Sequence, residues 1–117
     1  MDLEPYLQTL RGRDRALEAE RARRGAEVHA RLPEVVRILV EEFGVKRVVL
    51  FGSLRSGSLH ERSDLDLAVA GLNGGDYFRA LDRVARAAGI DVDLVPFEEA
   101  SASLRARIDS EGELLFG

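Results

Sequence analysis

The order of hydrophobic periodicities predicts an α+β (α/β) protein, a small mixed β-sheet flanked by helices. Three observations carry that expectation. Apolar residues recur at helical spacing in two long segments, around 32–43 and 77–88. Three apolar runs of strand length, "VKRVVLF" (45–51), "DLDLAVA" (64–70) and "IDVDLVPF" (90–97), lie after or between them. Glycines stand where the two helices should stop, at Gly44 and Gly89. The predicted order is helix, strand, turn, strand, helix, strand, helix.

Taken in order, residues 1–12 read as a loose start. Residues 13–31 are rich in Ala, Arg and Glu, all good helix formers. Seven arginines and four acids fall between Arg11 and Arg31, which suits a solvated helix with pairs such as Glu20 and Arg24. Pro33 suits the first turn of a second helix, or a kink in a longer one. Leu32, Val35, Val36, Leu39, Val40 and Phe43 form its core face. The strand at 45–51 leads into a turn-rich segment, 52–63, and then the strand at 64–70. The helix over 76–88 buries Tyr77, Leu81, Val84 and Ala88. Pro96 ends the third strand. A helix starts near Ser101 or Ser103, and "ELLF" suits a short last strand. The expected organisation is a helical arm over 1–31 and one domain over 32–117.

Composition narrows the function classes. The chain has 117 residues, no cysteine and two histidines, which excludes thiol nucleophiles, disulfides and Cys- or His-based metal sites. Its net charge of −4 disfavours direct nucleic-acid binding. No apolar run is long enough for a membrane span, and the N-terminus is too polar for a signal peptide, so a cytoplasmic location is expected.

The chemistry concentrates in "VLFGSLRSGSLHERSDLDLAVAG", Val49 to Gly71. Gly52 permits close backbone approach, Gly57 permits positive φ, and Ser53 adds a hydroxyl donor. Such a turn before a helix start can cradle phosphate. It is not a P-loop, because Ser58 stands where the lysine should be. Asp64 and Asp66, two apart on a strand, leave the same face. Two adjacent carboxylates repel unless a cation lies between them, and Mg²⁺ suits oxygen ligands and phosphates. A lone pair of this kind is most often an exposed strand face. An EF-hand loop fails, since Ala68, Val69 and Gly75 stand where a carboxylate or amide, a glycine and a glutamate are needed. The third strand adds Asp91 and Asp93 on one face. If it neighbours the 64–70 strand, either can join the pair. Three carboxylates can hold two metal ions about 3.5–4 Å apart, as in nucleotidyl transfer.

"LFGS", then ten residues, then "DLDL", with "VDLV" further on, resembles the minimal nucleotidyltransferases of the DNA polymerase β superfamily. Gly52, Ser53, Gly57, Asp64, Asp66 and Asp93 match that pattern, over roughly residues 33–115. The resemblance implies a polymerase β-like nucleotidyltransferase fold, ATP as substrate and Mg²⁺, two ions, as cofactor. It implies that Gly52 and Ser53 contact the triphosphate and that Asp64 and Asp66 bind metal. Asp93, rather than Asp91, would complete one metal site and help deprotonate the attacking hydroxyl. Ser56 departs from the arginine many relatives carry before the second glycine. Small stand-alone members resemble the antitoxins of HEPN/MNT toxin–antitoxin pairs, which implies AMP transfer to a HEPN-type protein partner within an oligomer or hetero-complex. The competing readings are a non-catalytic binding antitoxin and a small-molecule (antibiotic) nucleotidyltransferase. His60, Arg62, Arg105 and Arg107 read as surface residues, and Tyr77 and Phe78 as core packing.

Overall fold

The computed structural model of the chain describes residues 2–52 and 65–117. Helix α1 (Glu4–Arg37) is one continuous rod that widens into a π-type turn over Ile38–Glu42. Strands β1 (Arg47–Phe51) and β2 (Leu65–Ala70) follow, then a 3-10 turn at Gly74–Asp76 and helix α2 (Tyr77–Ala88). Strand β3 (Val92–Pro96), a second 3-10 turn (Phe97–Glu99), helix α3 (Ala102–Glu111) and strand β4 (Glu113–Phe116) complete the chain. The mixed sheet has the order β3-β2-β1-β4. β1 pairs antiparallel with β2 and β4, while β2 and β3 run parallel across the α2 crossover. The predicted fold class and element order hold.

The start of α1 differs from the expected loose segment. Asp2 Oδ1 accepts a hydrogen bond from the Glu4 N–H at 3.0 Å, and a proline stands in the first turn. An acceptor that satisfies an end amide, followed by a proline that has none, is a helix start. Pro33 neither begins a new helix nor ends the old one. Leu32, Val35, Ile38 and Leu39 on either side of it are all buried, and that packing outweighs the lost hydrogen bond. Glu20 pairs with Arg23 rather than Arg24, at 2.6 Å.

Alternation along the strands sorts the sheet into two faces. Val48, Leu50, Leu65, Leu67, Val69, Val92 and Leu94 face α1 and α2 and form the main core with Val28, Leu32, Val35 and Val84. Val49 and Ala68 lie on the other face beneath Ile108 of α3. Leu67 is fully buried at the centre of the larger cluster. Leu67→Ala is therefore expected to cost about 2–5 kcal/mol, read as a lowered urea midpoint with an unchanged slope.

Local contacts lock the elements to one another. Gly89 adopts φ +75° and closes α2, and Arg31 donates to the last α2 carbonyl, Ala88 O, at 3.2 Å. Ser101 caps α3 by accepting from the Leu104 N–H at 3.1 Å. Arg105 is not a free surface charge. It donates to Phe97 O and Glu98 O at 2.9 and 2.7 Å, and its guanidinium lies 5.6 Å from the Phe97 ring centroid. Arg47 approaches the same ring at 5.1 Å, so the turn after β3 is clamped between two cations.

Candidate active site

The parallel pairing of β2 and β3 sets Asp66 directly opposite Asp93. Their flanking residues, Leu65, Leu67, Val92 and Leu94, are buried against α1 and α2, so both carboxylates leave the opposite face. Neighbouring strands are about 4.8 Å apart. Two carboxylates on one face at that spacing are a natural pair of oxygen donors for a shared cation. Asp93 is exposed and Asp66 half-buried, which leaves the pair reachable by a ligand.

β1 brings the third part of the site. Phe51 is the register partner of Asp66, and Gly52 follows it at φ +79°. A Cβ on residue 52 would lie 2.2 Å from Asp66 Oδ2. The bare backbone of Gly52 is thus what lets this turn close onto the carboxylate. The turn glycine and the aspartates, 14 and 41 residues apart in the sequence, form one cluster at the same end of the sheet. Ser53, Gly57 and Asp64, with His60 and Arg62, lie outside the described residues. Asp91 stands one residue before β3, where its carbonyl accepts from the Leu65 N–H at 2.9 Å.

The donor set suits a hard divalent cation. Asp66 and Asp93 offer carboxylate oxygens on paired strands, and Mg²⁺ is commonly held by one or two carboxylates plus phosphate oxygens. Among the described residues no group of three metal-ligating side chains occurs, so these two are the structurally placed part of the predicted trio.

Of the two aromatic residues expected to pack on the core, one does and one does not. Tyr77 does pack on the core, and its hydroxyl donates to Leu94 O at 2.7 Å, one residue from Asp93. Burial, then the negative charges of Asp93 and Glu99, push its pKa above the usual tyrosine value. A phenol whose pKa is raised on folding stabilises the fold fully below its unfolded pKa of about 10, and that contribution is lost as pH rises through the folded value. Stability should therefore fall on the alkaline side of pH 10, and Tyr77→Phe should flatten that fall in denaturant titrations across pH 8–12. Phe78 is not core but 80% exposed. It lines a cleft of about 640 Å³ with Leu72, Tyr77, Pro96 and Glu99. That cleft sits beyond the C-terminal ends of β2 and β3, whereas Asp66 and Asp93 lie at their starts.

A parallel strand pair carrying opposed aspartates, with a glycine turn folded against one of them, is the arrangement expected of a nucleotidyltransferase. The family comparison agrees. Residues 34–117 match the model described as "Polymerase beta, Nucleotidyltransferase", and the chain belongs to that family. The protein adenylyltransferase MntA of Shewanella oneidensis is 34% identical over 73 residues, covering 60% of this chain. The chain spans about half (52%) of that relative's length. Among solved structures, a toxin–antitoxin complex with AMP-PNP aligns at TM-score 0.63 and 29% identity, over 72% of each chain. The toxin–antitoxin MntA-HpeT aligns at TM-score 0.67 and 27% identity, over 73% of this chain and 72% of that one; its structure carries glutamate in place of two aspartates two positions apart. A structure assigned as a minimal nucleotidyltransferase aligns at TM-score 0.67 and 29% identity, over 76% of this chain and 93% of that one. No helix among the described residues is long and apolar enough to cross a membrane.

Proposed function

We propose that this chain is a Mg²⁺-dependent nucleotidyltransferase that moves AMP from ATP onto a hydroxyl of a HEPN-type protein partner, acting as the antitoxin of that pair. The single observation carrying the reading is the opposition of Asp66 and Asp93 beside the Gly52 turn. The likeness to an adenylyltransferase and to toxin–antitoxin complexes supports the substrate and the partner. The aspartates altered in the MntA-HpeT relative have the two-residue spacing of Asp64 and Asp66.

In this reading Gly52, Ser53 and Gly57 hold the triphosphate through backbone amides and the Ser53 hydroxyl. Asp64, Asp66 and Asp93 would hold Mg²⁺, which when bound screens the phosphate charge and stabilises the charge that builds up in transfer. The acceptor oxygen bonds to the α-phosphorus as the bond to the bridging oxygen of pyrophosphate breaks, and pyrophosphate leaves. Asp93, exposed at the mouth of the pair, accepts the proton of the attacking hydroxyl. Residues 32–117 form the catalytic domain, and residues 1–31 an arm added to it. A cytoplasmic location follows from a substrate and a partner that are both intracellular.

The test uses ATP labelled at the α-phosphate, Mg²⁺ and the protein encoded by the adjacent gene. Label should pass to a hydroxyl side chain of the partner. If no label moves while the partner is still silenced by contact, the chain is a binding antitoxin instead. If label moves only to a small-molecule hydroxyl, the protein-acceptor reading is lost.

A further inference from the structure

Helix α3 crosses the face of the sheet that carries Asp66 and Asp93. Its Leu104 and Ile108 cluster with Val49, Ala68, Phe51 and Phe97. Asp66 stands two residues before Ala68 on β2, on the same face and about 7 Å along the strand. The helix therefore runs beside the carboxylate pair. It enters from the Phe97 end of β3 and leaves into β4, whose Glu113 is paired with Leu50.

The two flanks of α3 look toward opposite ends of the sheet. Arg105 and Asp109 mark one flank. Arg105 donates to Phe97 O and Glu98 O, and Asp109 lies 3.5 Å from Arg47 at the start of β1. Those partners stand where β2 and β3 finish, away from the carboxylates. Arg107 is two residues from each, about 200° round the helix. With Leu104 and Ile108 against the sheet, Arg107 falls on the other flank, toward the starts of β2 and β3 where Asp66 and Asp93 stand.

Arg107 is also free to take a ligand. Arg47 and Arg105, on the same face, are committed to the Phe97 turn. Among the described residues the ion-pair partner of Arg107 is Glu111, at 3.3 Å, with side chains 66% and 63% exposed. Arginine before glutamate is the weaker order on a helix, and exposed pairs contribute little. A stronger anion can displace that partner. The phosphates of a nucleoside triphosphate carry more charge than one Mg²⁺ neutralises, and a guanidinium offers two parallel N–H donors that match phosphate oxygens.

We propose, resting on the ATP reading above, that Arg107 is a substrate-binding residue that donates to the triphosphate of the nucleotide from the α3 side of the site.

The test is calorimetric titration of the full chain with ATP and with inorganic triphosphate, each with Mg²⁺. Arg107→Gln should weaken both affinities by roughly ten- to a hundredfold, the loss of one forked, charge-assisted contact. Arg107→Lys keeps the charge without the fork and should fall between. Glu111→Gln releases the arginine and should bind ATP at least as tightly as the native chain. Arg86→Gln, on α2 and so on the other face of the sheet, should leave both affinities unchanged. Urea midpoints should stay native throughout, since all three side chains are exposed. Native affinity in Arg107→Gln would overturn the proposal. So would a loss that Glu111→Gln shares, which makes the ion pair a structural tie, or a loss for ATP that triphosphate does not show, which puts the contact on the nucleoside. A native chain that binds neither ATP nor triphosphate removes the ATP reading together with this one.

Discussion

Asp66→Asn is expected to lower AMP transfer by roughly 10³-fold, about 4 kcal/mol of lost transition-state stabilisation. The variant should retain its fold. Asparagine matches aspartate in size, and Leu65 and Leu67, which anchor β2 in the main core, are untouched. The expected result is a chain that melts near the native temperature and no longer labels its acceptor. Single-turnover transfer from α-labelled ATP, run beside calorimetry, separates the two readouts. Undiminished transfer would remove this carboxylate from the site.

Gly52→Ala is expected to damage both fold and function, by a different route. The left-handed φ of +79° costs an alanine about 1–2 kcal/mol. The new methyl would also lie 2.2 Å from Asp66 Oδ2, far inside contact distance, so the turn or the carboxylate must move. A displacement of about 1 Å at a reacting centre can cost 10²-fold in rate. The two costs are separable, because the backbone strain shows in the denaturation midpoint and the displaced carboxylate shows in the transfer rate. Native-like transfer by a merely destabilised Gly52→Ala chain would mean that the contact with Asp66 has no part in catalysis.

Much of this site was legible along the chain because its signals are local. Alternation in "DLDL" and "VDLV" assigns Asp66 and Asp93 to the solvent side of their strands whatever the rest of the fold does. The preference for Asp93 over Asp91 came from family likeness, and the parallel register places Asp93, not Asp91, across from Asp66. The elements left open or misread were those where a distant partner decides. Pro33, which suited either a new helix or a longer one, stays inside one helix because the residues on both sides of it are buried in the core. Arg105 becomes a clamp because Phe97 folds beneath it. Phe78 reads as core by hydrophobicity but faces solvent, since the buried face of α2 is already filled by Ala80, Val84 and Ala88. The helix start at Glu4 is marked locally by Asp2 and Pro5 within an otherwise polar stretch.

By itself the sequence determined the strands, the helices beyond residue 12, and where Gly44 and Gly89 stop the helices. Periodicity of 3.6 or 2 is a property of a few consecutive residues and needs no partner to be read. Only the tertiary structure decided that β3 lies beside β2 in parallel, that β1 sits between β2 and β4, and that Gly52 touches Asp66. Strand pairing joins residues far apart in the chain, and a shift of one residue would send every side chain to the other face. The register is held by burial of Leu65, Leu67, Val92 and Leu94 against two helices, and that same burial turns Asp66 and Asp93 outward together.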